Sequence, residues 1–264
     1  MASELVTERD GEALVLTLSG PATRNSLSLQ TIDAAIEALD VADADSGLRA
    51  VVVTGAGGHF CAGGDLRALR RPGASAADDL NTSEQAALVD RFHVLIDALR
   101  TFPKPVIAAV EGHAAGGGFS LALACDLIVA ARDAQFHTSY ARVGLSPDGG
   151  ATWHLMQMLP RTLATQLLWT GEPVGAERLH ALGLINEVVD PGQSLGGALR
   201  WARQLAERSA SALASIKELL GSWPQGSLQD QLRLERTHFV ANLGRADTQA
   251  ALQAFFAARA TRSA

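Results

Sequence analysis

Three runs of apolar residues mark the middle of the chain as a set of buried strands. Residues 49–54 and 105–110 are continuous and rich in valine or alanine, and residues 126–130 form a third run. Such continuous runs are typical of strands covered on both faces of a parallel sheet. An alternating segment, 13–18, predicts an earlier strand, and helical spacing over 28–39 behind a serine cap predicts a helix. This part of the chain is therefore predicted to be α/β.

Beyond Pro191 the strand signals disappear, and the sequence becomes rich in Ala, Leu and Gln. Helical spacing there predicts four segments, 195–209, 210–220, 228–243 and 247–259. We therefore expect an α/β fold with a helical C-terminal subdomain, divided into a core of residues 1–193 and a tail of residues 194–264.

Composition narrows the class of protein. With 264 residues, of which 47% are hydrophobic and 19% charged, the chain can bury a large core. A net charge of −6 gives no general basic field, so nucleic acid is not the expected partner. The longest apolar stretch, 119–131, is shorter than the ~20 residues of a membrane span, and the first residues do not resemble a signal peptide. We expect a soluble, cytoplasmic protein in which Cys61 and Cys125 are reduced core thiols.

Two kinds of site are not expected. The glycine-rich segment 54–58 follows a strand, as a dinucleotide-binding loop would, but the third glycine of that fingerprint falls on Phe60. A nicotinamide cofactor is therefore not predicted. The seven histidines, including His113 and His137, lack metal-ligand spacing, so no metal site is predicted either.

Two glycine-rich loops, 60–66 and 112–118, each follow a buried strand. Glycine lets the backbone approach a ligand, and a helix starting at the second loop would offer unpaired N–H groups and a favourable dipole. That arrangement suits a negatively charged oxygen. The alternative is that the glycines only permit tight turns and close packing, and each loop taken singly favours that alternative.

Taken together, segments along nearly the whole chain resemble the crotonase, or enoyl-CoA hydratase/isomerase, family. The matching segments are RNSL at 24–27, FCAGGDL at 60–66, KPVIAAV at 104–110 running on to 118, CDLI at 125–128 and GLSPDGG at 144–150. The resemblance implies a crotonase-like ββα spiral, a CoA thioester substrate with no separate cofactor, and oxyanion donors at the backbone amides of Gly64 and Gly117. It also implies CoA contacts from Arg24, Ser26, Leu27, Ala62, Asp65 and Leu66.

The chain departs from the family pattern at two positions. Enoyl-CoA hydratases of this family carry glutamates where this sequence has Ser120 and Tyr140. Neutral side chains are poor substitutes for paired carboxylates near neutral pH, so ordinary hydratase activity is not expected. Ser120 and Tyr140 are candidates for orienting the substrate; the alternative for Tyr140 is a packed ring.

Asp148 is the candidate acid/base. The ring isomerases of phenylacetate degradation and the 3-enoyl to 2-enoyl-CoA isomerases of the family carry an aspartate in a similar GL-x-PD-x-G loop. One carboxylate can take a proton from C2 and return it at C4 while the two amides hold the enolate oxygen. The alternative is a turn residue that caps a helix starting near Ala151.

The leading hypothesis is therefore an enoyl-CoA isomerase that acts on a 3-enoyl-CoA or a ring-derived acyl-CoA. Three alternatives stay open: a hydratase with unconventional acid/base residues, a dehalogenase-like enzyme with Asp148 as nucleophile, and a non-catalytic acyl-CoA binder.

The resemblance also concerns assembly and the pocket. It implies a homotrimer or a dimer of trimers built through the tail, where Phe239, Asp247, Phe255 and Arg259 occupy family-like positions. The basic run 67–71 either contacts CoA phosphates or forms a solvated helix face. We expect the acyl pocket to depend on loop packing around 66–80 and 92–99.

Overall fold

The computed structural model describes residues 3–66, 82–223 and 226–262. The strands are β1 Glu4–Asp10, β2 Ala13–Ser19, β3 Ala50–Gly55, β4 Val106–Val110, β5 His113–Ala115, β6 Leu127–Ala131, β7 Gln135–His137, β8 Val174–Gly175 and β9 Glu187–Val189. The α-helices are α1 Leu29–Ala44, α2 Thr82–Thr101, α3 Gly117–Leu123, α4 Ala151–Met158, α5 Arg161–Thr170, α6 Ala176–Ala181, α7 Ser194–Ala206, α8 Ala210–Ser222, α9 Leu228–Leu243 and α10 Ala246–Arg262. The strands predicted from the apolar runs are β2, β3, β4 and β6, and all four are confirmed.

The strands form two sheets. One has six strands in the order β1-β2-β3-β4-β6-β9, and the other has three in the order β5-β7-β8. In the larger sheet every neighbouring pair is parallel except β1 with β2. Along the chain, β4 joins the larger sheet, β5 joins the smaller sheet, and helix α3 follows. Strands β6 and β7 then repeat this pattern, and helix α4 follows them. This alternation is the ββα repeat that the family resemblance implies.

The larger sheet is buried on both faces, which explains its continuous apolar strands. On one face Val52, Ile107 and Val129, each 0% exposed, pack with Ala198 and Ala202 of α7. The opposite face belongs to a larger apolar cluster that includes side chains of α1 and α2. Ser28 caps α1 as predicted, since its side chain accepts a hydrogen bond from the Thr31 N–H.

The segment 92–99 lies within helix α2, so the expectation of a loop there was wrong. Phe92, Leu95, Ile96 and Leu99 recur at helical spacing and are buried in the core. That spacing was readable in the sequence. The basic run 67–71, and the part of 66–80 that begins at residue 67, lie outside the described residues.

Helices predicted for the tail are confirmed as α7 to α10, with Leu228–Leu243 bounded as expected. Lys217 joins α8 to the core: its Nζ donates to the carbonyl of Leu99 at 2.9 Å and to Oδ2 of Asp126 at 2.7 Å. Across the described ranges, no helix combines the length and apolar character needed to cross a membrane.

Candidate active site

The two glycine-rich loops are in direct contact. The N–H of Cys61 donates to the carbonyl of His113 at 3.1 Å, and the N–H of Ala115 donates to the carbonyl of Cys61 at 2.9 Å. The first loop thus pairs with strand β5 through an isolated parallel bridge between Cys61 and Ala114. The two glycine-rich loops therefore meet through their backbones.

The amides predicted as oxyanion donors follow this contact, one in each loop. Gly117 is the first residue of α3, a position where a helix leaves its N–H groups without intrahelical acceptors. All residues of α3 are buried, so the positive end of its dipole acts in a poorly solvated environment. Gly64 is exposed, bridges Leu27, and has open space where a β-carbon would point. The space beside the Gly64 α-carbon is therefore open.

The strict requirement for glycine falls on the neighbours of these two donors. A β-carbon at Gly63, where φ is +82°, would lie 2.8 Å from the amide nitrogen of Gly117. At Gly118 it would lie 2.2 Å from the carbonyl oxygen of Cys61. At Gly117 the nearest atom to a β-carbon would be Cε1 of Phe92 at 3.4 Å, which is an ordinary van der Waals distance. Gly63 and Gly118 thus allow the loops to approach, while Gly117 supplies the amide.

The predicted CoA-contact segment is fixed against the first loop. The N–H of Ala62 donates to the carbonyl of Arg24 at 3.0 Å. Arg24 and Asn25 both have positive φ, 52° and 59°, which L-residues seldom adopt. The side chain of Asn25 holds this turn, since its Nδ2 donates to the carbonyls of Ala56 at 2.8 Å and His59 at 2.7 Å. Asn25 was not singled out from the sequence, although two left-handed residues need such support.

The other predicted CoA contacts differ in exposure. Ser26 and Leu27 are each 7% exposed, and the N–H of Leu27 donates to the carbonyl of Gly63 at 2.8 Å. Asp65 is half-buried, and Leu66 is 51% exposed. Arg24, Ala62 and these four residues therefore come together around the first loop, and their contact with CoA stays a prediction.

Asp148 is linked to both positions where the family's hydratases carry glutamates. The Tyr140 hydroxyl donates to Asp148 Oδ1 at 2.6 Å. The Ser120 hydroxyl lies 3.0 Å from the backbone oxygen of Asp148 and 3.2 Å from the Tyr140 hydroxyl. Ser120 is 0% exposed and Tyr140 is 7% exposed, whereas Asp148 is half-buried. The three residues form one hydrogen-bonded group whose carboxylate retains access to solvent.

The direction of the tyrosine hydrogen bond follows from its environment. Burial, and then the charge of Asp148, raise the pKa of Tyr140 well above its usual value. The hydroxyl therefore stays protonated and donates a hydrogen bond to the carboxylate. Ser120 and Tyr140 were predicted to orient the substrate; in this structure both hydroxyls hydrogen-bond to Asp148 and lie within hydrogen-bond distance of each other.

Helix α2 also contacts the Asp148 loop, through two residues that were not singled out as candidates. The N–H of Gly149 donates to Nε2 of His93 at 3.3 Å. The edge of the Phe92 ring fills the space beside Gly149, since a β-carbon there would lie 2.4 Å from Cε1 of Phe92. A separation of 56 positions between His93 and Gly149 explains why sequence spacing gave no signal.

Three histidines pack in a row beside β5. The ring centroids of His59 and His113 are 5.4 Å apart, and those of His113 and His137 are 5.2 Å apart. Burial lowers the pKa of both His113 and His137, which favours neutral rings. Nδ1 of His113 lies 3.1 Å from Nε2 of His137, so one ring donates to the other. Over the part of the chain that the structure describes, no group of three or more His, Cys, Asp or Glu residues is arranged to hold a metal ion.

Comparison with known proteins agrees with this geometry. The family model described as enoyl-CoA hydratase/isomerase matches residues 8–262. The chain is 37% identical to the 1,2-epoxyphenylacetyl-CoA isomerase of Escherichia coli K12, over 93% of this chain and 92% of that protein. It is 33% identical to the 2,3-dehydroadipyl-CoA hydratase of the same organism, over 97% of each chain. The crystal structure of an enoyl-CoA hydratase from Polaromonas sp. JS666 superposes with a TM-score of 0.91 at 48% identity, covering 96% of this chain and 97% of that one. These similarities confirm the predicted fold.

Proposed function

The chain belongs to the enoyl-CoA hydratase/isomerase family, and from that membership we propose that it isomerises a 3-enoyl-CoA, or a ring-derived acyl-CoA, to the 2-enoyl form. The family acts on acyl-CoA substrates, and relatives of this chain bear the names of isomerases and of hydratases. The choice between the two therefore depends on the side chains of this site.

In the proposed reaction Asp148 is the only acid/base. Its carboxylate removes a proton from C2, and the electrons of that C–H bond shift through the thioester carbonyl to give a dienolate. The amides of Gly64 and Gly117 hold the dienolate oxygen, which carries more charge in the transition state than in the substrate. The protonated Asp148 then gives the proton to C4, so that the double bond lies between C2 and C3 and the carbonyl is restored.

The observation that carries the proposal is the environment of Asp148. Tyr140 donates to its Oδ1 at 2.6 Å, so the carboxylate is held by a residue that stands where the family's hydratases carry a glutamate. Ser120, at the other glutamate position, is fully buried and lies within hydrogen-bond distance of the same residue's backbone. Hydration needs a group to activate water and a group to deliver a proton to carbon. A single positioned carboxylate is better suited to moving one proton within the substrate than to hydration.

Hydration of a 2-enoyl-CoA is the second candidate. Its support is similarity, because the crystal structure at 48% identity and the relative at 33% identity are both named hydratases. It would require Asp148 and a neutral partner such as Tyr140 to perform both proton transfers.

A panel of thioesters tests these two candidates in one assay. We expect the purified protein to convert 3-enoyl-CoA esters to the conjugated 2-enoyl form, seen as rising ultraviolet absorbance. Crotonyl-CoA should lose its conjugated absorbance slowly or not at all. Rapid hydration of crotonyl-CoA without isomerisation of any 3-enoyl ester would reject the isomerase proposal in favour of the hydratase.

The same panel addresses the two remaining alternatives. A covalent aspartyl adduct at Asp148, detected by mass spectrometry after incubation with a haloacyl-CoA, would indicate a dehalogenase-like enzyme. Calorimetric binding of CoA esters without turnover of any of them would indicate a non-catalytic binder.

We also propose that the chain assembles as a trimer or a dimer of trimers through its tail. Helix α9 buries none of its residues within the chain, although it carries large apolar side chains. Phe239 is 67% exposed and Val240 is 57% exposed. On α10, Phe255 and Phe256 are 55% and 64% exposed. Large apolar side chains left exposed on two tail helices support an interface there. Light scattering should give three or six times the chain mass, and a monomer would contradict the assignment.

A further inference from the structure

His93 projects from helix α2 onto the loop that carries Asp148. Its Nε2 accepts the N–H of Gly149 at 3.3 Å, and the side chain is otherwise exposed. Because Nε2 accepts, the neutral ring carries its proton on Nδ1. The contact therefore fixes both the position of one peptide group and the tautomer of one imidazole.

The Asp148 loop needs such a contact because its backbone is intrinsically free. Gly149 and Gly150 follow the aspartate with φ of 57° and 78°, a region that glycine enters and leaves at little cost. Tyr140 holds one carboxylate oxygen, and Ser120 lies against the backbone oxygen of Asp148. That backbone oxygen, which also accepts from the Ala151 N–H at 3.3 Å, belongs to the Asp148–Gly149 peptide, so these contacts hold the carbonyl end of the peptide and not its N–H. In this structure the hydrogen bond from Gly149 to His93 is the contact made by that N–H.

Steric packing from the same helix restrains the loop in a second direction. The Phe92 ring occupies the side of Gly149 where a β-carbon would lie, 2.4 Å from Cε1, and Phe92 is 4% exposed. The ring limits movement of the loop toward α2 but does not select a rotation of the peptide plane. A hydrogen bond does select it, because its strength depends on the N–H direction.

We propose that His93 is a positioning residue for Asp148, acting through the Gly149 peptide to keep the carboxylate where it can reach both C2 and C4 of the acyl group. The inference rests on the proposed isomerase function, in which Asp148 is the base. Positioning of a catalytic group changes the rate of turnover more than the binding of substrate.

Three variants test the proposal through kcat and KM for 3-enoyl-CoA isomerisation. His93→Phe keeps an aromatic ring and removes the acceptor, so kcat should fall about two- to twelvefold, the range of one neutral hydrogen bond, with KM unchanged. His93→Gln keeps an acceptor and should recover most of the loss. Asp90→Asn changes an exposed side chain of α2 outside the segment 92–99 and should behave like the parent.

Asp148→Asn, measured beside these variants, separates the two levels of the proposal. If Asp148→Asn is inactive and His93→Phe matches the parent, the role of His93 is refuted and the isomerase function stands. If Asp148→Asn remains active, the base assignment and the inference built on it both fail. Failure of His93→Gln to restore kcat would also refute a positioning role.

A spectroscopic measurement tests the hydrogen bond without reference to turnover. In the parent protein labelled with ¹⁵N-histidine, the neutral form of the His93 ring, assigned by comparison with His93→Phe, should carry its proton on Nδ1. A neutral ring that carries its proton on Nε2 would exclude the hydrogen bond from Gly149 and overturn the inference.

Discussion

Replacing Tyr140 with phenylalanine separates the hydroxyl that contacts Asp148 from the ring that packs around it. The ring is retained, and since Tyr140 is 7% exposed the variant keeps its buried surface. The hydroxyl is lost together with its 2.6 Å hydrogen bond to Oδ1 of Asp148 and its 3.2 Å contact with the Ser120 hydroxyl. The Ser120 hydroxyl keeps its 3.0 Å contact with the backbone of Asp148. The change therefore acts on the direction of one carboxylate.

The size of the effect follows from the charge of the acceptor. A hydrogen bond to a charged group contributes about 1.5–3 kcal/mol. If all of that free energy serves to align the carboxylate in the transition state, kcat falls roughly 12- to 160-fold, since 1.36 kcal/mol corresponds to a factor of ten. These values are upper limits, because a carboxylate at a half-buried position recovers part of the loss by binding water.

Steady-state isomerisation of a 3-enoyl-CoA by the Tyr140→Phe variant provides the assay. We expect kcat to fall within that range and KM to stay within about twofold, since the hydroxyl is hydrogen-bonded to the proposed base. A raised KM with unchanged kcat would instead indicate that Tyr140 orients the substrate. Unchanged values of both would refute the view that this hydrogen bond positions the carboxylate.

Three further predictions concern the loops, the tail and the thiols. Gly63→Ala should lower kcat at least tenfold, because its β-carbon would lie 2.8 Å from the amide nitrogen of Gly117. Gly117→Ala makes only ordinary contacts and should lose less activity, so equal losses in the two variants would contradict the distinction. Lys217→Met removes the partner of Asp126 and should lower the free energy of unfolding by roughly 3 kcal/mol in urea, and an unchanged midpoint would show that this pair does not stabilise the fold. Burial raises the pKa of the Cys61 thiol to about 12, so a disulfide reagent at pH 8 should label it only after unfolding, and rapid labelling of the native protein would contradict its burial.

The sequence predicts those parts of the fold whose burial leaves a pattern. Strand β4, Val106–Val110, is buried at every position and stands out as an apolar run. Strand β1, Glu4–Asp10, was not predicted, because it pairs at the edge of the sheet with most of its side chains exposed. The three-residue strands β5, His113–Ala115, and β7, Gln135–His137, are too short for any periodicity to be detected.

In the site, motifs predict which residues matter but not what they contact. The resemblance points to Ser120, Tyr140 and Asp148. Their mutual hydrogen bonds join residues 8 to 28 positions apart and depend on how α3 packs against the loop that carries Asp148. His93 lies outside every matching segment, and Asn25 lies within the RNSL segment, which does not show what its side chain contacts. Each acts through a side-chain contact with the backbone of a distant loop, and only packing brings the two together.

Isomerisation of a 3-enoyl-CoA by the Asp148→Asn variant is the most direct test of the central claim. The substitution preserves the shape of the side chain and removes its basicity, and a positioned acid/base contributes roughly 10²- to 10⁴-fold to the rate. The account predicts a fall in kcat of that size, with CoA-ester binding retained. Turnover within tenfold of the parent protein would contradict it, and the proton would then have to be moved by another group.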